Sequence, residues 1–479
     1  MPASAPIPAA AGAPVLAGRA VTVVGGARSG LAVARLLAGR GARVFLSERG
    51  PATDGLPEAL TAAGVAFEFG GHTARALDAD MAVVSPGVPS TAPLVVQLAR
   101  QGVAVVSEIE AASWFCAAPI VAITGTNGKT TTTSLAAYLF RRASESEASA
   151  DGGGYRPRRV VVAGNIGYPF ADYAADMTDD DLAVLEVSSF QLDHIDRFRP
   201  RVGVLLNITP DHLDRYGGDF RRYAAAKFRI ADNMGPGDAL VFNADDEIVA
   251  EFAALAAARR GLTALGLSLG AEVPAGAFVR DGALVLRLPS QPDEVLMPVA
   301  DLALRGRHNL YNSLAAAVAA RVLEVRSDVV RESLATFEGV PHRLESVREF
   351  EGVRYVNDSK ATNVNAVWYA LESFEHEKVV LIAGGRDKGN DYATLRPLVR
   401  EKARAVVALG ESAEKVMREL GASAPAAESA GSMEDAIRRA RRLARPGDIV
   451  LLSPACASFD MFDNYEDRGD TFKRLVLNL

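Results

Sequence analysis

The sequence predicts an α/β protein of three domains, and three observations carry that prediction. Its 479 residues exceed what one hydrophobic core holds, at roughly 150 residues per domain. Short β-type runs alternate with amphipathic stretches, the pattern of parallel sheets covered by helices. The alternation also restarts three times, each time as an apolar strand running into glycine. These restarts are Val21–Val24 before Gly25-Gly26, Ile120–Ile123 before Gly125, and Lys378–Ile382 before Gly384-Gly385.

In chain order, Val21–Val24 reads as a strand and Leu31–Leu37 has helical spacing. Arg43–Leu46 and Met81–Val84 read as the next strands. In the middle of the chain, Ile120–Ile123 precedes a helical run, Thr132–Phe140. Leu182–Glu186 is a buried strand ending in an acid, and Val202–Leu206 is another strand. Residues Gly261–Pro298 alternate apolar and polar positions and predict a β-rich excursion. Ala405–Leu409 and Ile449–Leu452 are buried strands of the last third. Ser144–Arg159 is polar and glycine-rich and reads as a mobile surface loop. There is no internal repeat of fixed period.

Composition excludes several classes. Hydrophobic residues make up 49% and charged residues 23%, enough apolar surface to fold. The net charge of −7 and the lack of a basic stripe argue against a nucleic-acid partner. Two cysteines, Cys116 and Cys456, cannot form a disulfide framework and point to a reducing compartment. Met1–Ala17 has no basic n-region and does not read as a signal peptide, and Ala111–Gly128, interrupted by Pro119, is wrong for a membrane span. A cytoplasmic protein without membrane insertion is expected.

The strongest local signal is Gly125-Thr126-Asn127-Gly128-Lys129-Thr130-Thr131, between a strand and a helical run. Glycines let backbone N–H groups turn toward phosphate oxygens, and the helix N-terminus adds partial positive charge. Lys129 can reach the β- and γ-phosphates, and the Thr130 hydroxyl can bind Mg²⁺. The spacing is a shortened form of the usual phosphate loop: the position five before Gly128 is Ile123. The competing reading is a plain strand-to-helix turn.

Gly25-Gly26-Ala27-Arg28-Ser29-Gly30 is weaker, because Ala27 stands where a dinucleotide fingerprint wants a glycine. Glu48 lies where a ribose-binding acid would sit. A nicotinamide cofactor, a nucleotide-sugar diphosphate and an empty turn all remain open here. Glu186, at a strand end, suits Mg²⁺. His212 follows a buried strand in a dense polar turn, which favours a site over a structural histidine. Lys227 sits among apolar helical neighbours, and by pattern alone it is a surface residue that snorkels.

A set of motifs occurs in order: the Gly125–Thr131 loop, Gly164-Asn-Ile-Gly167, Leu185-Glu-Val-Ser-Ser-Phe-Gln191, Asn207-Ile-Thr-Pro-Asp-His-Leu-Asp-Arg-Tyr216, Gly306-Arg-His-Asn-Leu-Tyr-Asn312 and Pro341-His-Arg343. From about Val21 to the C-terminus the chain resembles the Mur ligases, ATP-dependent enzymes that add amino acids to the peptidoglycan stem. Folylpolyglutamate synthetases share the central motifs. Ser85-Pro-Gly-Val88, Asn357-Asp-Ser-Lys-Ala-Thr-Asn363, Leu452-Ser-Pro-Ala-Cys-Ala-Ser-Phe-Asp460 and Glu466-Asp-Arg-Gly469 resemble the D-glutamate-adding branch. The Asp-Asn-Pro-Arg element of the branch that adds diaminopimelate or lysine is absent.

The resemblance implies a Rossmann-like N-terminal domain (1–107) for the UDP-substrate and a central P-loop ATPase-like domain (108–340) for ATP. It implies a Rossmann-like C-terminal domain (341–479) for the amino acid. Gly125, Thr126, Asn127, Gly128, Lys129, Thr130, Thr131, Asn309, Asn312, Arg343 and Asp358 would bind ATP. Thr130, Glu186, His212 and a carbamylated Lys227 would hold two Mg²⁺ ions, with Lys129, His212 and Lys227 catalytic. Arg28, Ser29, Ser47, Glu48, Arg49, Gly87, Asn165 and Ser188 would contact the UDP-substrate. Lys360, Thr362, Lys388, Ser458, Phe459 and Tyr465 would form the D-glutamate pocket, Tyr465 standing where the family often has Phe.

The implied reaction activates the carboxylate of UDP-N-acetylmuramoyl-L-alanine as an acyl phosphate, which the amine of D-glutamate attacks. The enzyme would act as a monomer. Three rivals remain. A folate-type ligase should lack Leu452–Asp460 and a separate uridine domain. A nicotinamide oxidoreductase leaves the Gly125–Thr131 loop unexplained. A nucleotide-gated scaffold needs no second metal.

Overall fold

The computed structural model describes residues 14–146, 154–374, 376–387 and 389–479. Most of the Met1–Ala17 stretch, the centre of the Ser144–Arg159 segment and Lys388 lie outside the described residues. The chain divides into two compact units, Met1–Leu302 with Tyr311–Phe337, and Ala303–Leu310 with Glu338–Leu479. The first unit carries two sheets and the second carries one.

The first sheet contains β1 (Ala20–Val24), β2 (Arg43–Ser47), β3 (Ala66–Glu68), β4 (Met81–Val84) and β5 (Ala104–Ser107). Its order is β3-β2-β1-β4-β5, all parallel, the Rossmann-like arrangement expected. The helix Arg28–Gly39 follows β1, longer at both ends than the apolar spacing alone marks. It packs tightly at its start: a Cβ on Gly30 would collide with the Gly25 carbonyl.

The second sheet holds β6 (Ile120–Thr124), β7 (Val160–Gly164), β8 (Leu182–Glu186), β9 (Val202–Leu205), β10 (Ala239–Asn243), β11 (Thr263–Ser268), β12 (Gly276–Arg280), β13 (Ala283–Arg287) and β14 (Glu294–Pro298). The order is β14-β13-β12-β11-β10-β9-β6-β8-β7. Strands β12 to β14 pair antiparallel and form the β-rich excursion anticipated for Gly261–Pro298. The helix after β6 spans Lys129–Glu145, not Thr132–Phe140. It starts at the lysine because Gly128 takes the left-handed turn that launches it, at φ +85°. Ser144 and Glu145 belong to this helix rather than to a loop.

One continuous apolar cluster joins the first two sheets, from Val21 and Leu37 through Ile109 and Ala122 to Leu185 and Leu240. The helix Glu108–Ser113 lies at this joint. Glu110 is fully buried there and accepts four bonds, from the Trp114 indole (2.6 Å) and the amides of Asp196, Arg197 and Phe198 (2.8–2.9 Å). It therefore fixes the segment that leads into β9.

The second unit has β15 (Glu345–Phe350), β16 (Val353–Asn357), β17 (Val379–Gly384), β18 (Ala403–Leu409), β19 (Ala427–Ala430) and β20 (Ile449–Leu452). Their order is β15-β16-β20-β17-β18-β19, with only β15 antiparallel. Both faces are covered, so alternate residues enter different cores: Val379 and Leu381 on one side, Val380 and Ile382 on the other. No described helix is long and apolar enough to cross a membrane.

Glu108, on the same joint helix as Glu110, is buried and accepts from the Ala171 amide at 2.7 Å. Burial pushes its carboxyl up to about 7, with Asp172 adding repulsion. The folded state thus holds this proton more tightly than the unfolded chain does. Stability declines as pH rises from the ordinary carboxylate range through about 7, by up to ~3 kcal/mol for a shift of this size. Glu108→Gln should flatten the melting temperature between about pH 5 and about pH 8 and melt above the wild type at the alkaline end. Parallel curves for the two proteins would refute this.

Candidate active site

The phosphate loop leaves β6 and enters the helix Lys129–Glu145, whose start carries no side-chain cap, leaving its first-turn amides for an anion. The loop is fastened from the chain that follows β9. The Asn127 amide donates to Asn207 Oδ1 (2.9 Å), and Asn207 Nδ2 donates back to the Asn127 carbonyl (3.0 Å). The Thr126 hydroxyl donates to the Thr209 carbonyl (3.1 Å) and accepts from the Thr209 amide (3.0 Å). Thr132 Oγ1 donates to Asn312 Oδ1 at 3.1 Å, and a side chain at Gly128 would run into that carboxamide. Asn312 is thus packed on the loop.

Two amines converge on one oxygen here. Lys129 Nζ donates to the carbonyls of Gly125 and Thr126, each at 2.8 Å. Lys227 Nζ donates to the same Gly125 carbonyl, also at 2.8 Å. Lys227 is only 2% exposed, which corrects the reading of a snorkelling surface residue. Its helix, Phe220–Phe228, packs that face inward, with Tyr223 beneath the amine. Burial drives the Lys227 amine well below the ordinary lysine range, and the Lys129 charge drives it further. Asp211, Glu186 and Asp193 oppose the shift without cancelling it.

Glu186 ends β8 as the sequence implied. Its Oε1 accepts from Asn165 Nδ2 at 2.8 Å, while its buried Oε2 has no protein partner. Asn127 Nδ2 and Thr131 Oγ1 are also buried without one. Two of these atoms lie on the phosphate loop and its helix start, where a bound ligand would give them partners, and the Glu186 and Thr131 oxygens suit a hard cation. Thr130 is buried in the first turn of the helix. His212 adopts φ +51°, its ring edge against Phe190 and its Nε2 3.7 Å from Asp211 Oδ2. Among the described residues, no three His, Cys, Asp or Glu side chains form a metal site by themselves.

On the first sheet, Arg28 and Ser29 open the helix after β1, and Arg49 is exposed. Glu48 accepts from the amides of Gly26 (2.6 Å) and Gly50 (2.7 Å), so it braces the glycine turn. Ser47 is buried between Glu68 (2.5 Å) and His72 (2.7 Å). Ser188 caps the helix Ser189–Leu192 in a reciprocal pair with Gln191. The Gly87 carbonyl accepts from Arg215.

In the second unit, Asn309 Nδ2 donates to the Arg305 carbonyl at 2.7 Å. Asp358 accepts from the Ser453 hydroxyl (2.7 Å) and the Leu344 amide (3.3 Å). Burial pushes its carboxyl up to about 6, against the pull of Arg343, whose own Nε is buried without a partner. Lys360 Nζ lies 5.0 Å from the Tyr465 ring centre, and the Thr362 amide donates to the Lys360 carbonyl. Ser458 is buried, and Phe459 is 64% exposed.

Two residues quoted in motifs but given no role hold these sites together. Asn207 clamps the phosphate loop from both directions. Arg468, fully buried, donates to the Ser359 hydroxyl and carbonyl (2.9 and 2.8 Å) and to the Cys456 carbonyl (3.1 Å). It thereby joins the chain beside Lys360 to the chain beside Ser458. The sequence does hold one signal for Lys227: only two of the eight lysines, Lys129 and Lys227, precede residue 360.

Three family models match in succession along the chain. A MurD N-terminal domain covers residues 21–93, a Mur ligase middle domain covers 123–320, and a Mur ligase glutamate ligase domain covers 342–456. A UDP-N-acetylmuramoylalanine--D-glutamate ligase of Salinibacter ruber is 63% identical over 96% of this chain and 97% of its own. Among solved structures, the MurC ligase of Thermotoga maritima shares the fold, with a TM-score of 0.56 at 20% identity over 96% of this chain and 99% of that one. A MurF ligase from the same organism, in complex with ADP, gives 0.55 at 17% identity over 84% and 96%. The three successive family models, together with 63% identity to the Salinibacter ligase over 96% of this chain, place the chain in the Mur ligase family.

Proposed function

We propose that this chain joins D-glutamate to UDP-N-acetylmuramoyl-L-alanine at the expense of ATP, in peptidoglycan precursor synthesis. The observation that carries the reading is the convergence of Lys129 and Lys227 on the Gly125 carbonyl beside Glu186. Plain nucleotide binding gives no reason to bury a second lysine there. The name of the Salinibacter relative supplies the substrates.

A carboxylate is a poor electrophile, so it must first take the γ-phosphoryl group of ATP. The acyl phosphate then loses phosphate to the attacking amine of D-glutamate. Lys129 exchanges its contacts with two loop carbonyls for charge-assisted bonds to phosphate oxygens. The amides at the start of the helix Lys129–Glu145 hold the same anion. Lys227, poised toward the neutral amine, attacks CO₂ through nitrogen and releases a proton, becoming an N-carboxylate. That change converts a cation into an oxygen ligand.

The donor set fits Mg²⁺, which when bound neutralises charge on the transferring phosphoryl group. We assign Thr130 and Glu186 to one ion, and His212 and carbamylated Lys227 to a second. Asn309, Asn312, Arg343 and Asp358 are assigned to ATP. Arg28, Ser29, Ser47, Glu48, Arg49, Gly87, Asn165 and Ser188 are assigned to the UDP-substrate, and Lys360, Thr362, Lys388, Ser458, Phe459 and Tyr465 to D-glutamate. The division of labour falls at residues 107 and 340, and the enzyme acts as a cytoplasmic monomer.

Phosphate release should require both UDP-N-acetylmuramoyl-L-alanine and D-glutamate. An equal rate without D-glutamate, or with L-glutamate instead, would refute the reading. Lys129→Ala should lower that release by at least ~10³-fold, since it removes charge stabilisation from the transfer step; substantial activity would contradict the site. Lys227→Ala should be inactive but partly restored by added short-chain carboxylic acids, and Lys227→Arg should stay inactive. Full activity of Lys227→Arg would exclude the carbamate.

A further inference from the structure

One side chain that the mechanism does not use links two of its parts. Arg215 lies on the short turn Leu213–Tyr216, three residues past His212. Its guanidinium donates from Nη2 to the Pro86 carbonyl (3.0 Å) and from Nη1 to the Gly87 carbonyl (3.2 Å). A planar fork reading two successive carbonyls is geometry that a lysine cannot supply. Those carbonyls belong to the turn after β4, closed by the Val88 amide on the Ser85 carbonyl (2.9 Å). Ser85 Oγ in turn donates to the Gly25 carbonyl (3.1 Å), so the turn is tied to the first glycine cluster.

The other face of Arg215 looks toward the metal-site residues. Its guanidinium carbon sits 4.2 Å from the centre of the Phe190 ring. Phe190 meets the His212 ring edge-on at 5.2 Å and stacks on Tyr216 at 6.2 Å. The Arg215 amide also donates to the His212 carbonyl (3.0 Å), closing the turn that holds His212 in a left-handed conformation. A non-glycine residue keeps such a conformation only where its surroundings impose it.

We infer that Arg215 is a positioning residue for the ligation reaction, coupling the Ser85–Val88 turn to the placement of His212. Seating the UDP end of the acceptor at that turn and setting His212 are then one event. This inference rests on the proposed ligase reading. It requires no contact between Arg215 and any reactant. It does require that loss of Arg215 be felt at the UDP-substrate and at the metal, and not at ATP or D-glutamate.

Steady-state kinetics on wild type, Arg215→Ala, Arg215→Lys and Phe190→Leu test this. In Arg215→Ala the KM for UDP-N-acetylmuramoyl-L-alanine should rise about 10-fold and kcat should fall by 10- to 100-fold, the scale of a misplaced group. The Mg²⁺ concentration for half-maximal rate should rise, while KM for ATP and D-glutamate stays unchanged. Arg215→Lys should recover part of the loss, keeping the charge without the fork. Phe190→Leu keeps the Arg215 bonds and should raise the Mg²⁺ demand alone. An unchanged acceptor KM and Mg²⁺ demand in Arg215→Ala would overturn the inference, as would equal changes in all three KM values. If Arg215→Ala does not fold, an Arg215→Lys variant with wild-type constants would overturn it. A wild type that releases no phosphate in response to acceptor plus D-glutamate would fail the ligase reading itself.

Discussion

The carbonyl oxygen of Gly125 accepts from two lysine amines, and the chemistry of the first unit depends on that shared oxygen. Lys129 and Lys227 each reach it at 2.8 Å. Two full positive charges at such separation repel strongly where water is scarce. Burial is the larger cause that drives the Lys227 amine well below the ordinary lysine range, and the Lys129 charge adds to it. A neutral amine is a nucleophile, whereas an ammonium is not. The phosphate loop thus carries one lysine, Lys129, and meets a second, Lys227, from the helix Phe220–Phe228.

The surrounding fold serves this arrangement. Lys227 lies 102 positions beyond Gly125 in sequence, and the parallel pairing of β6 with β9, with Tyr223 bonded to Thr126 at 3.0 Å, brings their segments together. Asn207, just past β9, holds the loop rigid through Asn127. Glu110 secures the approach to β9 from the first sheet. Preorganisation of this kind spares the enzyme the cost of arranging charges during the reaction.

Legibility in the sequence followed the range of the interactions involved. The phosphate loop was readable because strand, glycines, lysine and helix are contiguous. Glu186 was readable as the polar end of an apolar strand. The apolar spacing marks the helix only from Thr132, three residues past its start at Lys129, because the run of four threonines Thr130–Thr133 hides the onset that Gly128 sets through its backbone angle. Lys227 was not readable from its neighbours, since its burial depends on a loop a hundred residues away. Asn207 and Arg468 stood within quoted motifs, yet their clamping roles come from partners elsewhere in the chain. The net charge of −7 was equally uninformative, because all the proposed substrates are anions gripped by a few placed groups.

The shifted Lys227 amine is the central claim, and the scarcity of lysine makes it directly measurable. With eight lysines in the chain, ¹³Cε-lysine labelling yields few resonances, and Lys227→Arg assigns the one in question. In CO₂-free buffer that resonance should titrate well below the ordinary lysine range. With ¹³C-bicarbonate, a carbamate carbonyl signal should appear that is missing from the variant. A Lys227 that titrates like a free lysine and gives no carbamate signal would contradict the account.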